Sequence, residues 1–414
     1  MNLTHFKKKI FNDPVYGFIT IPDANTLKLI EHPWFQRLRR IRQLGMTDLV
    51  YPGAHHSRFH HALGAMHLMG LAIENLRGKG QEISEQEAFG ARAAILLHDI
   101  GHGPFSHALE KSILPGLKHE ELSLRMMHEL NRELAFELDL CLKIFTGNYQ
   151  KQFLHQLVSS QLDVDRLDYL NRDSFYTGVT EGTVGFDRII KMMDVIDGQL
   201  VIEEKGIYSV EKFILARRFM YWQVYLHKTV ISAENMLVNL LKRARVLTAQ
   251  GQQVPASRNL KYFLRKGLDW TPEAGDMETL EAYAGLDDYD IFASAKEWLN
   301  HSDKILSELS HRLINRQLLR IRIENMPFTD EMVNRYKERW QAKGNKKEDA
   351  EYFIFTGEIQ NSAYRVDEEK INVCLKSGKV LDIREASEQL RLSVLTESTK
   401  KYFLCYPKEL GETN

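Results

Sequence analysis

From about residue 25 to 340, apolar residues recur at intervals of three and four, the spacing that lines one face of a helix. Only 10 prolines occur among 414 residues, and most mark breaks in that pattern. Such a chain is constrained to a large helical body, and its length leaves room for a smaller appendage.

Local exceptions define the rest. Residues 199–210 place two short β-prone runs about Lys205-Gly206, which predicts a hairpin set between helices. A long helix is expected after it, from about 210 to 247. The charged stretch KGNKKED at 343–349 reads as a solvated connection, beyond which 352–355, 371–375 and 402–406 look like strands. The expected fold class is mainly α, with a helical body over 1–327 carrying a short β-hairpin insertion, and a small α+β region over 328–414.

Charge excludes some roles. The 55 Lys and Arg balance 56 Asp and Glu, leaving a net charge of -1. That balance argues against coating a polyanion or an acidic lipid surface, so nucleic acid is not expected as the main partner. The three cysteines, Cys141, Cys374 and Cys405, are far apart and never form CxxC, which argues against a disulfide framework or a thiolate zinc site. No apolar run approaches the roughly 20 residues of a membrane span, so a soluble, cytoplasmic protein without a membrane partner is expected.

Nine of the 16 histidines fall between positions 55 and 119. The apolar run AAILL at 93–97 leads directly into His98-Asp99, before Gly101 and Pro104 end the helix. Burying Asp99 unpaired there would be costly, and a cation beside it removes the cost. Imidazole beside carboxylate suits a divalent metal such as Mn, Fe, Zn or Mg, although the dipeptide taken alone favours a helix cap and only its context shifts the weight to a metal. His61 opens another helical pattern that can pack against this one. Further along, Asp165, Tyr169 and Asp173 are spaced i, i+4, i+8 on one helix face, with Arg166 beside Asp165.

Four blocks, in order, carry a family resemblance: RLRRIRQLG (37–45), YPGAHHSRFHH (51–61), HDIGHGPFSH (98–107) and DVDRLDYLNRD (163–173). The order His61, His98-Asp99, Asp165 is similar to the H…HD…D signature of the HD-domain metal-dependent phosphohydrolases. Within them the chain most resembles the deoxynucleoside triphosphate triphosphohydrolases, which include bacterial dGTP triphosphohydrolases and the mammalian SAM-and-HD-domain dNTPase. The resemblance covers roughly residues 10–320. It implies a helical HD-domain body that hydrolyses a dNTP to deoxynucleoside and inorganic triphosphate. The alternatives are an HD-type phosphodiesterase or nucleotidase acting on another nucleotide, and a non-catalytic nucleotide-binding regulator.

In this reading one divalent ion is held by His61, His98, Asp99 and Asp165, two neutral and two anionic ligands that leave positions for water and a phosphate oxygen. His102, His107, His119 and Glu120 are the candidates for proton transfer to the leaving 5′-oxygen. Arg58, three residues before His61, can point at the same site. The resemblance joins Arg166 and Arg217 to it as phosphate contacts, and three arginines favour a triphosphate. It also places Gln43 and Leu44 at one edge of the deoxyribose, Tyr169 and Asp173 at the other, and Tyr225 in the pocket lining. Homo-oligomers, dimeric or tetrameric, and a nucleotide effector are further expectations from the resemblance.

Overall fold

The computed structural model describes residues 8–105, 107–114, 116–134, 136–266, 276–361, 370–387 and 399–411. The architecture is mainly helical with small sheets, as the periodicity requires. At its centre runs the helix Arg58–Gly78, apolar on nearly every face and buried from Phe59 through Met69 apart from His60 and His67. A helix of that composition belongs inside a bundle. Two helices flank it, Glu85–Leu97 and Val164–Thr177.

Local chemistry fixes where those flanking helices start. Ser84 and Glu87 form a capping box, the Ser84 amide donating to Glu87 Oε2 at 2.8 Å and the Glu87 amide to Ser84 Oγ at 3.2 Å. Asp163 caps the third helix by accepting from the Arg166 amide at 2.7 Å. Gly64 permits the close approach of that helix, because a Cβ there would sit 2.0 Å from Asp168 Oδ1.

The hairpin lies a few residues earlier than the sequence suggested. Strands Met193–Ile196 and Gln199–Glu203 turn at Asp197-Gly198, both with positive φ (50° and 75°), the pairing that two-residue hairpins prefer. Lys205 and Gly206 instead belong to a 3-10 turn that opens the helix Ile207–Met220. The long helix expected from 210 to 247 is divided by a π-turn at Tyr221–Tyr225 and resumes as Lys228–Ala249, with His227 Nδ1 accepting from the Thr229 amide at 3.2 Å.

A second antiparallel pair, Ile10–Asp13 with Gly17–Thr20, had no clear periodic signal. Toward the C-terminus, Asn372–Cys374 pairs in parallel with Gln199–Glu203 and antiparallel with Val380–Asp382. Strand Thr399–Tyr406 lies between Arg320–Glu324 and Phe355–Asn361. The run at 352–355 is strand only from Phe355, since Glu348–Tyr352 is a 3-10 turn. Among the described residues no helix is long and apolar enough to cross a membrane.

Candidate active site

His61 stands one turn into the central helix and is 1% exposed. Its Nδ1 lies 2.7 Å from Asp168 Oδ2. Arg172 grips Asp168 with two bonds of 2.9 Å and reaches Asp13 at 2.7 Å. His98, just past the end of Glu85–Leu97, lies with its Nδ1 2.6 Å from the Ile95 carbonyl. Both rings thus commit Nδ1 to the protein body and turn Nε2 toward each other, 3.4 Å apart. This is how metal-binding imidazoles are oriented.

Carboxylates complete the cluster. Asp165 Oδ1 lies 3.0 Å from His61 Nε2 and 3.5 Å from His98 Nε2. Asp99 Oδ1 is 3.3 Å from His98 Nε2, and Asp99 Oδ2 is 3.8 Å from His61 Nε2. His61, His98 and Asp99 converge closely enough to share one divalent cation, with Asp165 reaching both imidazoles and each imidazole supported from behind; Asp99, His102 and His119 form a second such group. Burial alone would depress His61, but its bonds to Asp165 and Asp168 outweigh that and push it up to about 10. Burial would raise Asp165, yet the same two histidines hold it well below the usual carboxylate range.

Beside the cluster, His102 Nε2 lies 3.3 Å from Asp99 Oδ1, and the His102 ring stacks on His119 with centroids 3.9 Å apart. Burial first, and then the Arg58 guanidinium, hold His102 well below the ordinary histidine range, so it is neutral at pH 7. Arg58 pairs with Asp99, and His119 Nδ1 lies 3.4 Å from Glu120 Oε2.

All this opens on a cavity of about 440 Å³. Of the residues expected from sequence, Gln43, Leu44, Arg58, Asp99, His102, His119, Asp165, Tyr169, Asp173 and Tyr225 line it. His61 and His98 stand behind Asp165 and Asp99. Arg166 and Arg217 are not in the lining. Arg166 pairs with Asp163, and the Arg217 guanidinium packs 5.9 Å from the Tyr221 ring. His107 begins the helix His107–Ile113, and its side chain lies outside the described residues.

Three contributors were missed. Asp168 was visible as a third acid in DVDRLD, but its bond to His61 joins residues 107 positions apart. His56, one of the nine clustered histidines but not among the expected site residues, lies 2.7 Å from Asp173 Oδ1 and stacks on Tyr176 at 4.4 Å. With Tyr225 donating to Asp173 Oδ2 at 2.7 Å, both oxygens of Asp173 are held. Glu234 lines the cavity beside Gly45, and burial pushes its carboxyl up to about 7.

Residues 58–173 match the HD domain family, and 184–254 match the HD associated region. A crystal structure of a phosphohydrolase from Bacteroides thetaiotaomicron superposes with a TM-score of 0.93 and 49% identity, over 97% of this chain and 100% of that one. The chain belongs to the HD-domain phosphohydrolases. This HD phosphohydrolase is also 34% identical to YwfO of Bacillus subtilis, over 98% of its own length and 93% of that protein. It is 35% identical, over 57% of its length, to the deoxynucleoside triphosphate triphosphohydrolase SAMHD1 homolog of Dictyostelium discoideum, of which it spans about half (49%).

Proposed function

We propose that the protein hydrolyses deoxynucleoside triphosphates to deoxynucleoside and inorganic triphosphate. The observation that carries this reading is the convergence of His61, His98, Asp99 and Asp165 at the wall of a cavity that Leu44, Tyr169 and Asp173 also line. A divalent ion held by those four groups would supply an activated water and draw charge from the phosphoryl oxygens.

The chain's own side chains do the rest. Arg58, already anchored on Asp99, presents a guanidinium to the phosphates. Neutral His102, beside Asp99, offers either a ring N–H to a phosphate oxygen or a lone pair to a cation shared with Asp99 and His119. His119, stacked on His102 and oriented by Glu120, protonates the leaving 5′-oxygen, with His107 the other candidate for that proton. Leu44 crowds the sugar where a 2′-hydroxyl would stand, and Asp173, held by His56 and Tyr225, takes the 3′-hydroxyl.

One observation favours a second reading, a phosphodiesterase or nucleotidase acting on a smaller phosphate. Of the three arginines expected on the phosphates, only Arg58 is in the cavity lining. A panel of dNTPs, NTPs, dNMPs and cyclic nucleotides, assayed with Mn or Mg, separates the two. The proposal expects turnover of at least one dNTP and its abolition in Asp99→Ala. Turnover confined to monophosphates or cyclic nucleotides would replace it with the second reading.

A further inference from the structure

We propose that Asp288 is a positioning residue that sets the distance between two walls of the catalytic cavity. It lies on the helix Asp288–Glu297, outside both matched family regions, and is 3% exposed. Its Oδ2 accepts the Arg42 amide at 2.9 Å, next to Gln43 and Leu44 on one wall. Its Oδ1 accepts the Phe105 amide at 2.9 Å, in the loop that follows Asp99 and His102 on the other. One buried carboxylate thus ties together two backbone segments 63 residues apart in sequence.

The same helix and the residues before it grip that loop repeatedly. The Phe105 ring packs edge-on against Phe292, with centroids 5.2 Å apart. Arg37 donates through Nη2 to the Ile100 and His102 carbonyls at 2.8 and 2.9 Å, and through Nη1 to the Leu286 carbonyl at 3.0 Å. Gly103 lies against Tyr283 so closely that a Cβ would meet its hydroxyl at 2.4 Å. Phe105 itself has φ of 52°, a left-handed conformation costly for an aromatic residue, which persists where surrounding bonds over-determine it. The bond to Asp288 is one that does so. None of the four proposed metal ligands bonds to Asp288 in turn.

Asp288→Asn keeps the shape but sets an amide N–H₂ against one of the two backbone donors. Resting on the reading of the cavity as catalytic, the inference predicts that kcat/KM for a hydrolysed dNTP falls at least roughly tenfold. The dissociation constant for Mn stays within about threefold, against the roughly 10- to 100-fold loss that follows when a ligand's own support is removed. Unchanged kcat/KM, or loss of Mn binding in step with activity, overturns the inference. Amide hydrogen exchange supplies a test independent of substrate. In the unaltered protein the Arg42 and Phe105 amides exchange slowly, and in Asp288→Asn at least one exchanges faster. Rapid exchange of either amide in the unaltered protein overturns the inference even if the variant does not fold. An unaltered protein inert toward every nucleotide would refute the proposed function and leave the exchange result to decide on Asp288.

Discussion

His61 uses its two ring nitrogens for different ends, one facing the proposed cation site and the other anchored on Asp168. Asp168 is fully buried and neutralised by Arg172, so it acts on the site only through His61. Asp168→Asn should therefore weaken metal affinity about 10- to 100-fold, with activity recovering as metal is raised to saturation. Titration of activity against Mn checks this, and a loss that metal cannot rescue would show that Asp168 does more than orient His61. At this scale the sequence made legible what has a chemical signature within a few residues. His98-Asp99 after an apolar run is such a case. What it concealed depends on partners brought together by folding, as with His56 on Asp173 and Asp168 on His61.

The helix that delivers His98 and Asp99 is secured at its start by Glu87. Besides capping, Glu87 accepts from Tyr149 at 2.7 Å and pairs with Lys151 at 2.8 Å, joining the helix to the segment 149–151. Burial would raise its carboxyl, but the bonds from Lys151 and Tyr149 prevail and lower it from 4.5 to about 2. Its stabilising contribution is therefore fully present above pH 4.5 and is lost as pH falls through about 2. Glu87→Gln should cost about 1–2 kcal/mol at pH 7, a deficit that shrinks progressively below pH 4.5 in urea unfolding series. A deficit independent of pH would contradict the assignment. Elements with long periodic runs were legible for the same reason that they are stable. The π-turn at Tyr221–Tyr225 was not, because apolar spacing continues through it while the backbone changes hydrogen-bond register. The Asp197-Gly198 turn did carry a hairpin signal, and the flexible-looking Lys205-Gly206 obscured it. Gly206 is required there by contact, since a Cβ would lie 2.5 Å from Ile202 Cγ2.

Across the whole molecule, a net charge of -1 coexists with the highly charged anion proposed as substrate. The two are compatible because a bound cation and Arg58, the one arginine among the described residues lining the cavity, would act locally, where low dielectric strengthens them. Segments far from the histidine cluster in sequence complete its surroundings: Tyr225 on one wall, and Asp288 behind two of them. The most direct test of the central claim is the identity of the inorganic product, read by phosphorus NMR during turnover of a dNTP with Mg, or after chelation of the metal when turnover requires Mn. The account predicts inorganic triphosphate and free deoxynucleoside in equal amounts, with oxygen from labelled water in the triphosphate. Orthophosphate or pyrophosphate as the sole inorganic product would contradict it.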